Sequence, residues 1–153
     1  MRNSYCNILN RPPQAMATIC GGEKYPEICG VVRFYKVRGS VLVCAEISGL
    51  PMTDNQLHGF HIHEGTDCAD NDNFSHTLGH YNPKNQPHPQ HSGDLLPLLS
   101  VNGTAFSIFL TDRFDICEIV GKTVIIHEKA DDFASQPSGN SGAKIACGVI
   151  RAR

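Results

Sequence analysis

The strongest constraint on how this chain folds is how often its apolar runs are cut short. Residues 15–20, 28–36, 41–48, 57–63, 95–101, 104–110, 116–127 and 145–150 are brief stretches of branched and aromatic side chains. Gly, Pro, Asn or polar segments separate them, as expected for strands joined by turns. None has the spacing of a convincing amphipathic helix. Asn102-Gly103, between two of the runs, is the dipeptide most diagnostic of a two-residue hairpin turn. About eight short strands predict an all-β, antiparallel sandwich or barrel. With 7 Phe, 4 Tyr and no Trp, branched aliphatics must fill much of the core. The 153 residues suit one domain. It is expected over residues 15–153, with residues 1–14 as an N-terminal extension.

Charge and hydropathy exclude several functions. Thirteen basic and 15 acidic residues give a net charge of −2, which removes a basic nucleic-acid footprint as the main theme. No apolar run approaches the ~20 residues of a membrane-spanning helix. Residues 1–14 lack the apolar centre of a signal peptide.

The unusual residues are 8 His and 7 Cys, which direct attention to metal chemistry. Side chains at i and i+2 of a strand share a face, so His61 and His63 can close on one ion while Phe60 and Ile62 point into the core. His58 has the parity of Phe60 and Ile62 and is expected to be a buried structural ring. The polar stretch 64–94 has no periodicity and reads as a loop of about 30 residues, a length that calls for a functional reason. It carries His80 and the series His88-x-x-His91-x-x-Asp94. His127 ends an apolar run, and His76 reads as a surface residue. Six His and one Asp make seven candidate ligands, one short of two closed four-coordinate sites. Either one imidazole bridges, since both ring nitrogens can bind metal, or one site stays open at three protein ligands. A His₃Asp set favours tetrahedral zinc; an all-imidazole set favours tetragonal copper(II).

Five ordered segments carry a resemblance: Leu57-His58-Gly59-Phe60-His61-Ile62-His63, Gly79-His80-Tyr81-Asn82-Pro83, His91-Ser92-Gly93-Asp94-Leu95, His127-Glu128-Lys129-Ala130-Asp131-Asp132, and Gly139-Asn140-Ser141-Gly142 leading into Ala146-Cys147-Gly148-Val149-Ile150. Over roughly residues 15–151 the chain resembles the copper/zinc superoxide dismutase family. The resemblance implies an eight-stranded antiparallel Greek-key barrel or sandwich with two long functional loops, an architecture for which this family is a known example. It implies copper on His61, His63, His80 and His127, and zinc on His80, His88, His91 and Asp94, with His80 bridging. Asp131 would link a copper histidine to a zinc histidine, orienting both rings. The implied reaction is disproportionation of two superoxide anions to O₂ and H₂O₂ as copper is alternately reduced and reoxidised, with His80 carrying the proton.

The family's usual Arg is here Lys144, which keeps the charge but lacks the planar fork. Residues 133–143 hold no charge, so anion steering falls to Lys144 and Lys129. The short loops look more like those of bacterial members. By the same match, Cys68 and Cys147 form a disulfide, stabilising by about 4 kcal/mol in the loop-entropy view. Cys6, Cys20, Cys29, Cys44 and Cys117 have no family partners, and five spare thiols without a signal peptide favour the cytoplasm over export. The expected partner is superoxide, with no nucleic acid and no membrane; a homodimer and an unidentified copper source complete the expectation. The rival reading is a copper-binding or delivery protein on the same scaffold with little turnover.

Overall fold

The computed structural model describes residues 7–69 and 73–153. Among these residues the strands are β1 (Ala15–Gly21), β2 (Cys29–Val37), β3 (Ser40–Ser48), β4 (Leu57–His58), β5 (Phe60–His63), β6 (Leu98–Val101), β7 (Thr104–Thr111), β8 (Thr123–His127), β9 (Lys144–Val149) and β10 (Arg151–Ala152), with one α-helix, α1 (Ile116–Ile119), and a 3-10 turn at Ser75–Thr77. All strand pairs are antiparallel. Neighbours run β4-β6-β7-β3-β2-β1-β9-β8-β5, with β10 added to β1. The non-consecutive neighbours β3–β7 and β1–β9 are the long connections of a Greek-key path. The two ends of the path, β4 and β5, are separated by Gly59 alone, so the chain itself brings the two edges of a nearly closed barrel together.

Strand alternation places the core. Ala17 and Ile19, Val32 and Phe34, Val41, Val43 and Ile47, Phe60 and Ile62, and Val124 and Ile126 point into one buried cluster. Outward residues are covered in two places. Ile8 and Leu9 pack over Tyr35, Leu42 and Cys44. On the far side, Cys68 and Phe74 of the long loop pack over Ile125 and Cys147.

The all-β barrel is as the sequence leads one to expect, with local differences. Ten strands replace about eight, because Gly59 divides the run 57–63 and the two-residue β10 pairs with the start of β1, beyond where β9 pairs with its end. At Gly59 an added Cβ would lie 2.7 Å from the Ser141 Cβ. Its N–H donates to Lys129 O at 2.7 Å, and its carbonyl accepts from the His127 N–H at 2.8 Å. The run 116–127 is not one strand. Ile116 and Ile119, three apart, both drop into the core from a single helical turn. The Glu118 carboxylate caps that turn by accepting from the Asp115 N–H at 2.5 Å. Among the described residues, no helix is long and apolar enough to cross a membrane.

The described residues of segment 64–94 contain no strand and are anchored to the barrel. Ile62 N donates to Gly93 O and Tyr81 N to Ile62 O, both at 2.8 Å, while Glu64 N donates to Gly79 O at 2.9 Å. The loop therefore runs along β5 as an extra layer. Gly93 permits this approach, since a Cβ there would sit 2.2 Å from Ile62 O. Cys68 and Cys147 form a disulfide across 79 positions, with Cα atoms 5.7 Å apart. Cys20, Cys29, Cys44 and Cys117 are free thiols, and Cys6 lies outside the described residues.

Ile62 is fully buried between two histidines of β5. Ile62→Ala should lower the unfolding free energy by about 2–5 kcal/mol through the lost contacts and the cavity left behind. Phe106→Ser, at a site 65% exposed, should stay within about 0.5 kcal/mol. Denaturant titration of both variants measures the contrast.

Candidate metal centre

His61 and His63 emerge from the outer face of β5, opposite Phe60 and Ile62 in the core. The backbone bridges His63–His80 and His61–Asp94 set two loop residues beside them. His127 ends β8 at a register shift against β9 and turns its Nε2 to 3.3 Å from His63 Nε2. Two quartets result. His61, His63, His80 and His127 offer ligand atoms all within 4.8 Å of one another, as do His80, His88, His91 and Asp94. His80 belongs to both.

Hydrogen bonds fix which nitrogen each ring presents. His63 Nδ1–H donates to Leu78 O at 2.9 Å and His127 Nδ1–H to Gly142 O at 3.2 Å, so each presents Nε2 inward. His61 Nε2–H donates to Asp131 Oδ2 at 2.7 Å, leaving Nδ1 inward. His80 Nδ1 lies 2.7 Å from Asp94 Oδ1 and 3.4 Å from His91 Nδ1, which leaves its Nε2 for the other quartet. His61 Nδ1 and His80 Nε2 are buried without a hydrogen-bond partner, while His88 Nδ1 is buried 3.1 Å from Asp94 Oδ2. Such orphaned acceptors are costly unless something binds them. The four-nitrogen set suits copper(II), and three nitrogens with a carboxylate suit zinc; the residues present fit both ions.

Asp131 joins the quartets from behind. Its second oxygen, Oδ1, accepts from His88 Nε2–H at 2.9 Å and from the Phe133 amide at 2.7 Å. Burial would raise its pKa, but the bonds from His61, Phe133 and His88 outweigh burial and hold the carboxyl well below the usual range. Burial lowers the His61 imidazole to about 4, against the pull of Asp131. Burial and then repulsion from His61 lower His127 to about 3. Burial, with repulsion from His127 and His80, pushes His63 well down. Neutral rings at neutral pH are ready ligands.

Lys144 lies on β9, paired with His127 across the shifted register. Its ammonium donates to Thr77 Oγ1 at 2.8 Å, Leu78 O at 2.9 Å and Phe74 O at 3.3 Å. These partners are neutral, so the charge is held without being cancelled; burial lowers its pKa, and its field helps to depress His63 and His127. Lys129 is exposed on the strand-end loop. His58 is fully buried and donates from Nδ1 to His127 O at 3.1 Å, the structural role its parity suggests. His76 is exposed beside Asp67.

Sequence reasoning missed the supports of the loop. Arg113 Nη1 donates to the carbonyls of Pro89, His91 and Asp94 at 2.8–3.2 Å. Gln136 clasps the His88 backbone, accepting from its N–H at 3.0 Å and donating to its O at 2.8 Å. Both act on backbone atoms distant in sequence, so no local pattern marks them.

Comparisons with known proteins agree with this geometry. The family described as copper/zinc superoxide dismutase matches residues 28–150, and the chain belongs to that family. It is 32% identical to a Cu-Zn superoxide dismutase of Paramecium bursaria Chlorella virus 1, over 97% of this chain and 83% of the relative. It is 35% identical to one from Legionella pneumophila, over 82% and 80%, and 37% identical to one from Xenopus laevis, over 81% and 89%. Among solved structures, a double mutant of a SOD-like protein from Bacillus subtilis superposes with a TM-score of 0.79 at 29% identity, covering 90% of this chain and 97% of that one.

The depressed histidines set an acid limit for the metal-free protein. Between about 4 and the ordinary value of 6.5, His61 is neutral when folded and protonated when unfolded, and the same holds for His127 down to about 3. The unfolded state binds more protons there, so stability falls as pH falls through this window. Urea midpoints of metal-free protein should drop steadily from pH 7 to pH 4; a flat profile would contradict the burial of these rings.

Proposed function

We propose that this chain is a turning-over superoxide dismutase, with copper held by His61, His63, His80 and His127 and zinc by His80, His88, His91 and Asp94. The observation that carries the reading is His80, whose Nε2 faces the all-nitrogen quartet while Nδ1 faces the carboxylate quartet. Bound copper supplies the one-electron chemistry by which two superoxide anions and two protons become O₂ and H₂O₂, and zinc supplies a fixed positive charge beside it.

The chain's own groups do the rest. His80, held from the Nδ1 side beside Asp94, would take up and deliver a proton at Nε2, the atom facing His61, His63 and His127. Asp131 locks His61 and His88 at fixed tilt through its two oxygens. Lys144 places a positive charge beside His63 and His127 on a chain whose net charge is −2. A local cation of this kind raises the encounter rate of a small anion, an effect this family is known for.

Metal analysis with a superoxide assay on the copper- and zinc-loaded protein tests the assignment. His127→Ala should lose copper and turnover together; full turnover in that variant would overturn the copper set. Asp94→Ala should lose zinc and retain copper. Asp131→Ala should weaken metal binding by about 10–100-fold, read by competition with a chelator.

Lys144→Glu should lower the second-order rate by ~10-fold or more, and Lys144→Arg should keep or raise it. Metal content should be unchanged in both. The wild-type rate should fall with salt as the screening length shortens to ~8 Å at 0.15 M. A salt-independent rate with Lys144→Glu as fast as wild type would reduce Lys144 to a strut for the loop.

A further inference from the structure

Two free thiols outside the metal centre stand directly opposite each other. Cys20 on β1 and Cys29 on β2 are register partners, and both are exposed. The adjacent pair, Gly21 and Ile28, is hydrogen-bonded, with Gly21 N donating to Ile28 O at 2.8 Å. Antiparallel pairs alternate, so Cys20–Cys29 occupies a non-hydrogen-bonded position, where Cα atoms stand ~4.5 Å apart and side chains are closest. That spacing lies within the range a disulfide spans.

The surroundings narrow the partner. On its other side Cys20 pairs with Cys147 of β9, which is already bonded to Cys68. There Gly22 N donates to Ile145 O, so by the same alternation Cys20–Cys147 is a hydrogen-bonded position with more widely set side chains. Cys44 is buried and Cys117 stands on α1. The row Cys29, Cys20, Cys147, Ile125, His61 crosses five neighbouring strands on one outer face. The thiol pair therefore shares its face with the metal quartets, about 14 Å from β5 at the usual strand spacing.

We propose that Cys20 and Cys29 are an oxidation site that closes a second, cross-strand disulfide with hydrogen peroxide, the product of the enzyme's own reaction. One thiolate sulfur attacks a peroxide oxygen. The O–O bond breaks, hydroxide departs and is protonated to water, and a sulfenic acid remains. The facing thiol then attacks that sulfur, forms the S–S bond and expels the second water. Two thiols are oxidised by two electrons, one peroxide is reduced, and no other reactant is needed. The oxidant's origin rests on the dismutase reading; the reactivity of the pair does not.

The test uses copper- and zinc-loaded protein in two arms: hydrogen peroxide added directly, and a superoxide flux with or without catalase. Unreacted thiols are then alkylated and the peptides mapped without reduction. Both arms should give loss of two hydrogens per chain and a linked peptide joining Cys20 to Cys29, with catalase suppressing it in the second. Cys20→Ser and Cys29→Ser should each abolish the linkage, while Cys44→Ser and Cys117→Ser should leave it intact. The proposal is overturned if both thiols stay alkylatable in added peroxide, if each is oxidised singly, or if Cys20 is found bonded to Cys147 or to another chain. Failure of the superoxide arm alone would remove the dismutase as the oxidant's source and leave the peroxide-reactive pair standing.

Discussion

The two-residue period of β5 is the constraint on which the rest of the centre depends. Phe60 and Ile62 fill the core, so His61 and His63 must face outward. A slip of one residue would exchange the sets, burying imidazoles in hydrocarbon and exposing Phe60, so the hydrophobic core pins the register. The same strand then aligns the long loop, because Ile62 pairs with Gly93 and Tyr81, and Glu64 just beyond the strand pairs with Gly79. Core packing thus sets where His80 and Asp94 stand, although neither is part of it.

Packing six imidazoles and two carboxylates together out of water is costly unless the polar atoms are matched. The match is divided between back and front. Rear nitrogens are taken by Leu78 O, Gly142 O and Asp131. Front nitrogens of His61 and His80 have no hydrogen-bond partner, and that of His88 faces Asp94. Burial keeps His61, His63 and His127 neutral, so these three rings converge without mutual charge repulsion. The result is a rigid set of lone pairs suited to cations, held by a disulfide-anchored loop and the strand beneath it.

Much of this was legible in the primary structure. Alternation along 57–63 separated His58 from His61 and His63, and counting seven ligands raised the question of a bridge that His80 answers by lying in both quartets. Where the reading failed, a short-range signal was ambiguous. Ile116 and Ile119 fit a strand-rich run by composition, yet their spacing suits one helical turn. The division at Gly59 follows from the approach of Ser141, far along the chain.

The sequence by itself determined the fold class and the residue types of the centre, because strand periodicity and ligand spacing are local properties; the Cys68–Cys147 pairing is implied by the family resemblance, and the structure contains it. Tertiary structure decided which nitrogen each ring presents, that Lys144 reaches Thr77 and Leu78, and that Arg113 and Gln136 brace the loop. It also decided that Cys20 faces Cys29 on one side and Cys147 on the other. These depend on hydrogen bonds to backbone atoms and on strand register, and both are set by how distant segments pack and by no residue's immediate neighbours.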